Sequence, residues 1–160
     1  YYRTKDRLFN AVFEKISGQM FRRFTPVFDA NLSLEEKIRF FLREHIDFMQ
    51  KNPRLPSFIL SEINRNPMRI KKLIQRIDIK NLWTTLEEQH KEELEKYNIT
   101  KENIPQLMTS IAAMSVFPFA GRAIISVFME KMGYNFDDYI EKRKQYAGDF
   151  VIGALKNMKN

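Results

Sequence analysis

Leu8, Phe9, Val12, Phe13 and Ile16 fall on one side of an α-helix when the chain is wound at 3.6 residues per turn. The same spacing returns in Leu34, Ile38, Phe41, His45 and Phe48. It returns again in Phe136, Tyr139, Ile140, Ala147, Phe150, Val151, Ala154 and Met158. A half-buried strand would alternate apolar and polar residues instead. Hairpins also need tight-turn residues, yet the chain has only 5 glycines and no Asn-Gly or Asp-Gly pair. An all-α fold of about seven to nine helices is therefore expected.

Local signals divide the chain. Thr4 is placed to cap a helix from Lys5, and Gly18 and Pro26 should weaken or kink its continuation toward Phe28. Ser33-Leu-Glu-Glu36 is a capping box, and Asn52-Pro53 ends the helix it starts. A short helix is expected from Pro56 to about Asn64. Another follows from Pro67, behind Asn66, to about Ile77. Lys80 to Tyr97 is the next, and its EEQHKEELEK face is expected to meet water. Asn103 should cap a long helix with Pro105 in its first turn, a bend at Pro118 and a left-handed stop at Gly133. Asn135, three residues before Asp138, opens the last helix. No repeat, low-complexity tract or linker interrupts 5–160, which reads as one domain.

Composition narrows the function classes. Phe at 14 and Met at 8 suit a large or irregular apolar interior. The absence of Cys excludes disulfides and thiolate metal sites, and it fits a reducing, cytoplasmic setting. A formal net charge of +7 favours acidic partners such as nucleic acid or an anionic membrane, although many basic proteins are merely soluble. The apolar stretch from Leu107 to Met129 holds Pro118, Gly121 and Arg122 near its middle, so a buried helix pair is expected there and no membrane span.

Catalytic signals are thin. Glu87-x-x-His90 is half of a di-iron carboxylate motif, and His45 has Leu42 where the second copy would need Glu. Glu87 and His90 are expected to face water, with no metal bound. There is no Gly-rich phosphate loop, no G-x-S-x-G elbow and no Cys nucleophile. No enzymatic activity and no cofactor are expected. His45 lies on an apolar face, either as a hydrogen-bonded core histidine or as a polar group lining a pocket. Trp83 and Glu62, if buried, each require a polar partner.

The final helices are apolar over wide stripes. Leu107, Ile111, Met114, Phe117, Ile124, Val127 and Phe128 are interspersed with Ala112, Ala113, Ala120, Gly121 and Ala123, which permit close helix approach. Two arrangements satisfy the pattern. One is a hairpin inside the monomer's own core. The other is a self-complementary surface that forms a four-helix bundle across a two-fold axis.

The opening YYRTKDRLFNAVFEKI resembles the end of the helix-turn-helix head in TetR-family transcriptional regulators, which closes on a pattern near Y-x-x-F-x-S-K-x-x-L. Tyr2, Thr4, Lys5 and Leu8 take the second aromatic, the Ser, the Lys and the Leu. LSLEEKIRFFLREHIDFMQKNPRLPSFILSEINRNPMRI is similar to the following helices of TetR-like ligand-binding domains. VFPFAGRAI and FDDYIEKRKQYAGDFVIGAL are similar to their dimerisation helices. The resemblance implies a regulator, expected to be a repressor, with residues 1–4 as the remnant of the DNA-binding head and 5–160 as the ligand-binding and dimerisation domain. It implies a homodimer, an operator bound through a head that precedes Tyr1, and a small apolar effector inside each subunit. Tyr1 and Lys5 are the candidate DNA contacts, Lys5 lying in a first turn whose free N–H groups suit phosphate. Candidate pocket residues are Phe41, His45, Phe48, Phe58, Ile59, Glu62, Trp83, Met108, Ile111 and Ser115. Candidate dimer residues are Phe117, Ala120, Ile124, Val127, Phe128, Tyr139, Arg143, Tyr146 and Phe150. The competing reading is a helical module with no DNA head, which holds a protein or anionic partner on its basic surface.

Overall fold

The computed structural model describes residues 4–28, 31–75 and 78–158. The described residues form an all-α fold without strands: α1 (Lys5–Phe24), a 3-10 turn (Thr25–Phe28), α2 (Leu34–Lys51), α3 (Leu55–Arg65), α4 (Pro67–Ile74), α5 (Ile79–Lys96), α6 (Ile104–Ala120), α7 (Arg122–Lys131) and α8 (Phe136–Asn157).

The starts follow local chemistry. The Thr4 hydroxyl accepts from the Arg7 amide at 3.3 Å. Ser33 and Glu36 close a reciprocal capping box, at 3.2 Å and 2.7 Å. The Asp78 and Asn135 side chains cap α5 and α8 by accepting from the Asn81 and Asp138 amides, at 3.1 Å and 2.8 Å. Two helices stop by one device. At Gly133, φ is 75°, and the Tyr134 amide donates to the Met129 carbonyl while the Gly133 amide donates to Glu130. At Asn98, φ is 51°, and the Ile99 and Asn98 amides donate to Leu94 and Glu95. Both are Schellman stops that satisfy the last carbonyls of a helix.

The core is built around α2 and α8. Leu34, Ile38, Leu42, Ile46 and Met49 of α2 meet Ile140, Ala147, Val151, Ile152 and Leu155 of α8. Ile111 and Phe119 of α6 and Leu94 and Tyr97 of α5 close the sides. Gly148 lets α2 and α8 come close, because a Cβ there would lie 3.2 Å from the Arg39 Cγ and 3.5 Å from its Cα.

Several features depart from the sequence expectations. The long helix is broken rather than bent: α6 and α7 meet at Gly121 with 75° between them. Pro118 has no N–H for the Met114 carbonyl four residues back, and the Arg143 Nε of α8 donates to that carbonyl instead, at 3.0 Å. The expected burial of the pair holds only for α6, which buries Ile111, Ser115, Pro118 and Phe119, whereas α7 buries none of its residues. Asn103 does not cap α6. Its side chain braces the preceding turn, accepting from the Thr100 amide at 2.9 Å and donating to the Asn98 carbonyl at 2.6 Å. Finally, the charged face of α5 is not wholly solvated, because His90 and Leu94 are buried. Glu93 accepts from the Leu34 amide with both carboxylate oxygens, at 3.0 Å and 3.1 Å, and so serves the N-terminus of α2 from another helix. α1 also runs unbroken through Gly18 to Phe24. α4 ends at Ile74, and Ile77, its expected end, lies outside the described residues.

Candidate functional site

One stripe of α1 packs only partly. Phe9 is buried, Val12 and Ile16 are half-buried, and Leu8 is 46% exposed. Across from them stand Leu55 and Phe58 of α3, the Phe9 and Phe58 rings being 5.5 Å apart between centroids. Between the two helices lies an open groove of about 870 Å³, closed at the sides by Asn52, Pro53, Arg54, Glu62, Arg65 and Asn66. Ligand sites commonly occupy roughly 300–1,000 Å³, with apolar walls and few polar groups. This groove meets that description. Its polar groups are confined to α3 and the turn before it, while α1 supplies apolar atoms. Glu62 accepts from the Asn66 side chain at 3.2 Å.

The structure divides the expected pocket residues among different places. Phe58 and Glu62 line the groove. His45, Phe48, Ile111 and Ser115 are buried and do not line it, and Phe41 and Ile59 are partly buried against the core. His45 Nδ1 lies 2.7 Å from the Ser115 Oγ, which in turn donates to the Ile111 carbonyl at 2.9 Å. The Ser proton is thereby engaged, so the imidazole donates from Nδ1. Burial pushes the His45 pKa down to about 4, which keeps the ring neutral near pH 7. His45 is a hydrogen-bonded core histidine. Met108 is half-exposed on α6. Trp83 lines a separate cleft with Glu87, Lys91, Glu95, Ile99 and Lys101, and its Nε1 is buried without a hydrogen-bond partner. Those residues of the expected set do not converge on one cavity. The other lining residues, Leu8, Phe9, Val12, Ile16 and Arg54 among them, were missed; the helical spacing of the four α1 residues was the available signal.

A second apolar surface lies at the opposite end of the chain. Phe117, Ile124, Val127, Phe128, Tyr146 and Phe150 are each more than half exposed. Ala120 and Tyr139 are half-buried at its margin, and the Arg143 guanidinium lies over the Tyr139 ring at 5.8 Å. α8 thus carries two stripes. Ile140, Ala147, Val151 and Leu155 face the core, while Tyr139, Arg143, Tyr146 and Phe150 lie about 100° away around the helix.

Charged groups tie α1 to both. Arg23, near the end of α1, pairs with Asp47 of α2 at 2.5 Å and Glu44 at 3.1 Å. Asp47 also accepts from Lys144 of α8 at 3.3 Å and from Lys51 at 2.9 Å. Desolvation opposes ionisation of Asp47, but hydrogen bonds from Lys51, Arg23 and Lys144 overcome it and hold the carboxyl far below its ordinary range.

Among the described residues no group of three His, Asp or Glu side chains could hold a metal. His90 is buried rather than solvated, and its Nδ1 pairs with Glu93 at 2.8 Å, while half-buried Glu87 meets Lys101 at 3.7 Å. Tyr1 lies outside the described residues, as does the side chain of Lys5. Among the described residues no single helix is long and apolar enough to cross a membrane. No protein-family model, no curated protein and no solved structure matches the chain.

Proposed function

We propose that the chain is the regulatory part of a TetR-like transcriptional regulator. It dimerises through the end of α6, α7 and the outer stripe of α8, and it takes a small apolar effector in the groove between α1 and α3. The observation that carries this reading is the exposed aromatic and aliphatic face of Phe117, Ile124, Val127, Phe128, Tyr146 and Phe150. Apolar residues concentrated on one face of a soluble chain mark a contact surface. A two-fold pairing of the end of α6, α7 and α8 would bury all of them at once.

The groove gives the mechanism. One of its walls is α1, and the TetR resemblance puts the DNA-binding head directly before that helix. An effector that fits better with one position of α1 shifts the population of head spacings toward that position. Arg23, Asp47 and Lys144 join α1 through α2 to α8, so a displacement of α1 is felt at the proposed dimer helices.

Light scattering tests the assembly. The chain should run at twice its 19.2 kDa mass, and Phe128→Glu or Phe150→Glu should halve it. A soluble variant that keeps the dimer mass, or a wild-type monomer, would sink the dimer assignment. The DNA-binding half of the reading is tested by the coding frame upstream of Tyr1, where a helix-turn-helix is expected and an unrelated domain would remove it.

A further inference from the structure

The groove between α1 and α3 is apolar along its length but not electrically neutral. Arg54 and Arg65 both line it, and neither makes an ion pair with a carboxylate of a described residue. Glu62 is the acidic member of the lining, and it is engaged by Asn66. Arg65 follows Glu62 by three residues on α3, so the one carboxylate of the lining lies one turn from Arg65, without an ion pair between them. Arg54, in the turn where α2 hands over to α3, has no such neighbour in the groove. The lining therefore carries one excess positive charge, concentrated at the Arg54 end. Beside it lie Leu8, Phe9, Val12, Ile16, Leu55 and Phe58, which offer a ligand only apolar contact.

We propose that the groove binds an amphipathic carboxylate, with its hydrocarbon body against Phe9 and Phe58 and its head group at Arg54. This deepens the effector site proposed above and rests on it. A planar guanidinium matches a carboxylate through two parallel hydrogen bonds. At the rim of a groove such a pair is worth more than in open water, because the apolar walls lower the local dielectric. A neutral alcohol of the same length gains the apolar contact alone. A cationic amphiphile meets Arg54 with like charge.

The test compares dodecanoate, dodecanol and dodecylammonium by calorimetry on the full chain, the two ions below their micelle concentrations and the alcohol below its solubility limit. Dodecanoate should bind at one site per chain, at least tenfold tighter than dodecanol, and dodecylammonium weakest. Arg54→Gln should bring dodecanoate down to the affinity of dodecanol while leaving dodecanol unchanged. Arg54 is exposed, so the substitution leaves folding intact. Phe58→Ala should weaken both ligands together. Equal binding of dodecanoate and dodecanol, lost in Phe58→Ala, would keep the effector groove and overturn its preference for anions. Tighter binding of dodecylammonium would assign the head group to Glu62 and overturn the proposal. No binding of any of the three, or binding untouched by both substitutions, would remove the groove as a site and leave the dimer reading standing.

Discussion

His45 shows how one side chain couples packing to pH. Its ring is wedged among Phe24 and Phe41, with centroids at 5.9 Å and 5.4 Å, and it donates to Ser115. Burial lowers its pKa from 6.5 to about 4. The unfolded chain therefore takes up a proton below pH 6.5 that the folded chain refuses until about pH 4. Stability rises with pH across that window, and acidification from 6.5 to 4 should cost roughly 3 kcal/mol from this group alone. Asp47 acts in a different window, because its depressed pKa contributes stability that is lost only below its unfolded value of 3.8. Urea denaturation at several pH values separates them. His45→Gln should flatten the slope between pH 6.5 and 4 and leave the steeper loss below it. An unchanged slope would mean that His45 is not the group responsible. Ser115→Ala should cost about 1–3 kcal/mol at pH 7, the penalty of leaving a buried donor unpaired.

At the scale of elements, the α2–α8 contact turns on Gly148. The room for its missing Cβ is taken by Arg39, and the two helices supply most of the buried residues of the core. Gly148→Leu has no space, so it must push α8 away from α2, at about 1–3 kcal/mol. Gly148→Ala comes closer than ordinary contact only to the Arg39 Cγ, at 3.2 Å, which must give by a few tenths of an ångström, so it should cost less than Gly148→Leu, partly offset by the helix preference for Ala. Equal melting temperatures for Gly148→Leu and wild type would show that α2 and α8 do not approach closely at Gly148. Three helix starts were legible from local caps in the sequence, although Asp78, an equally local cap of α5, went unassigned and Asn103 does not cap α6. Thr4, Ser33 and Asn135 each bond an amide three residues on, within one turn of chain. The other failures are tertiary. Nothing in EEQHKEELEK reveals that Glu93 serves the first turn of a helix 59 residues earlier. Nothing near Met114 reveals that Arg143 takes the carbonyl that Pro118 leaves open. The groove was half legible: Leu8, Phe9 and Val12 announced an apolar face, but only the placement of α3 determines that this face is incompletely covered.

At the scale of the whole molecule, the monomer has an asymmetry of cover. Phe119 and Phe136 are buried, while Phe117 and Phe128 in the same segment are 58% and 62% exposed. A lone chain that exposes so many large side chains on one face loses the stabilisation their burial would give, about 1.5–3 kcal/mol for each fully buried one. If a second copy supplies that cover, folding and association are linked, and the melting temperature must depend on concentration. A tenfold increase in protein adds about 1.4 kcal/mol per dimer. Shared between two chains of this size, that should raise the midpoint by roughly 2 °C. Phe128→Glu should melt at one temperature at every concentration, because a charge in the middle of the face abolishes the pairing. Each chain carries a net +7, so two copies repel one another at long range. Raising salt from about 50 to 300 mM screens that repulsion without weakening the apolar contact, so the wild-type dimer should tighten. A midpoint that ignores both concentration and salt would mean that the face is covered by something other than a second copy. The basic charge would then be read as complementary to an acidic partner rather than as a cost to self-association.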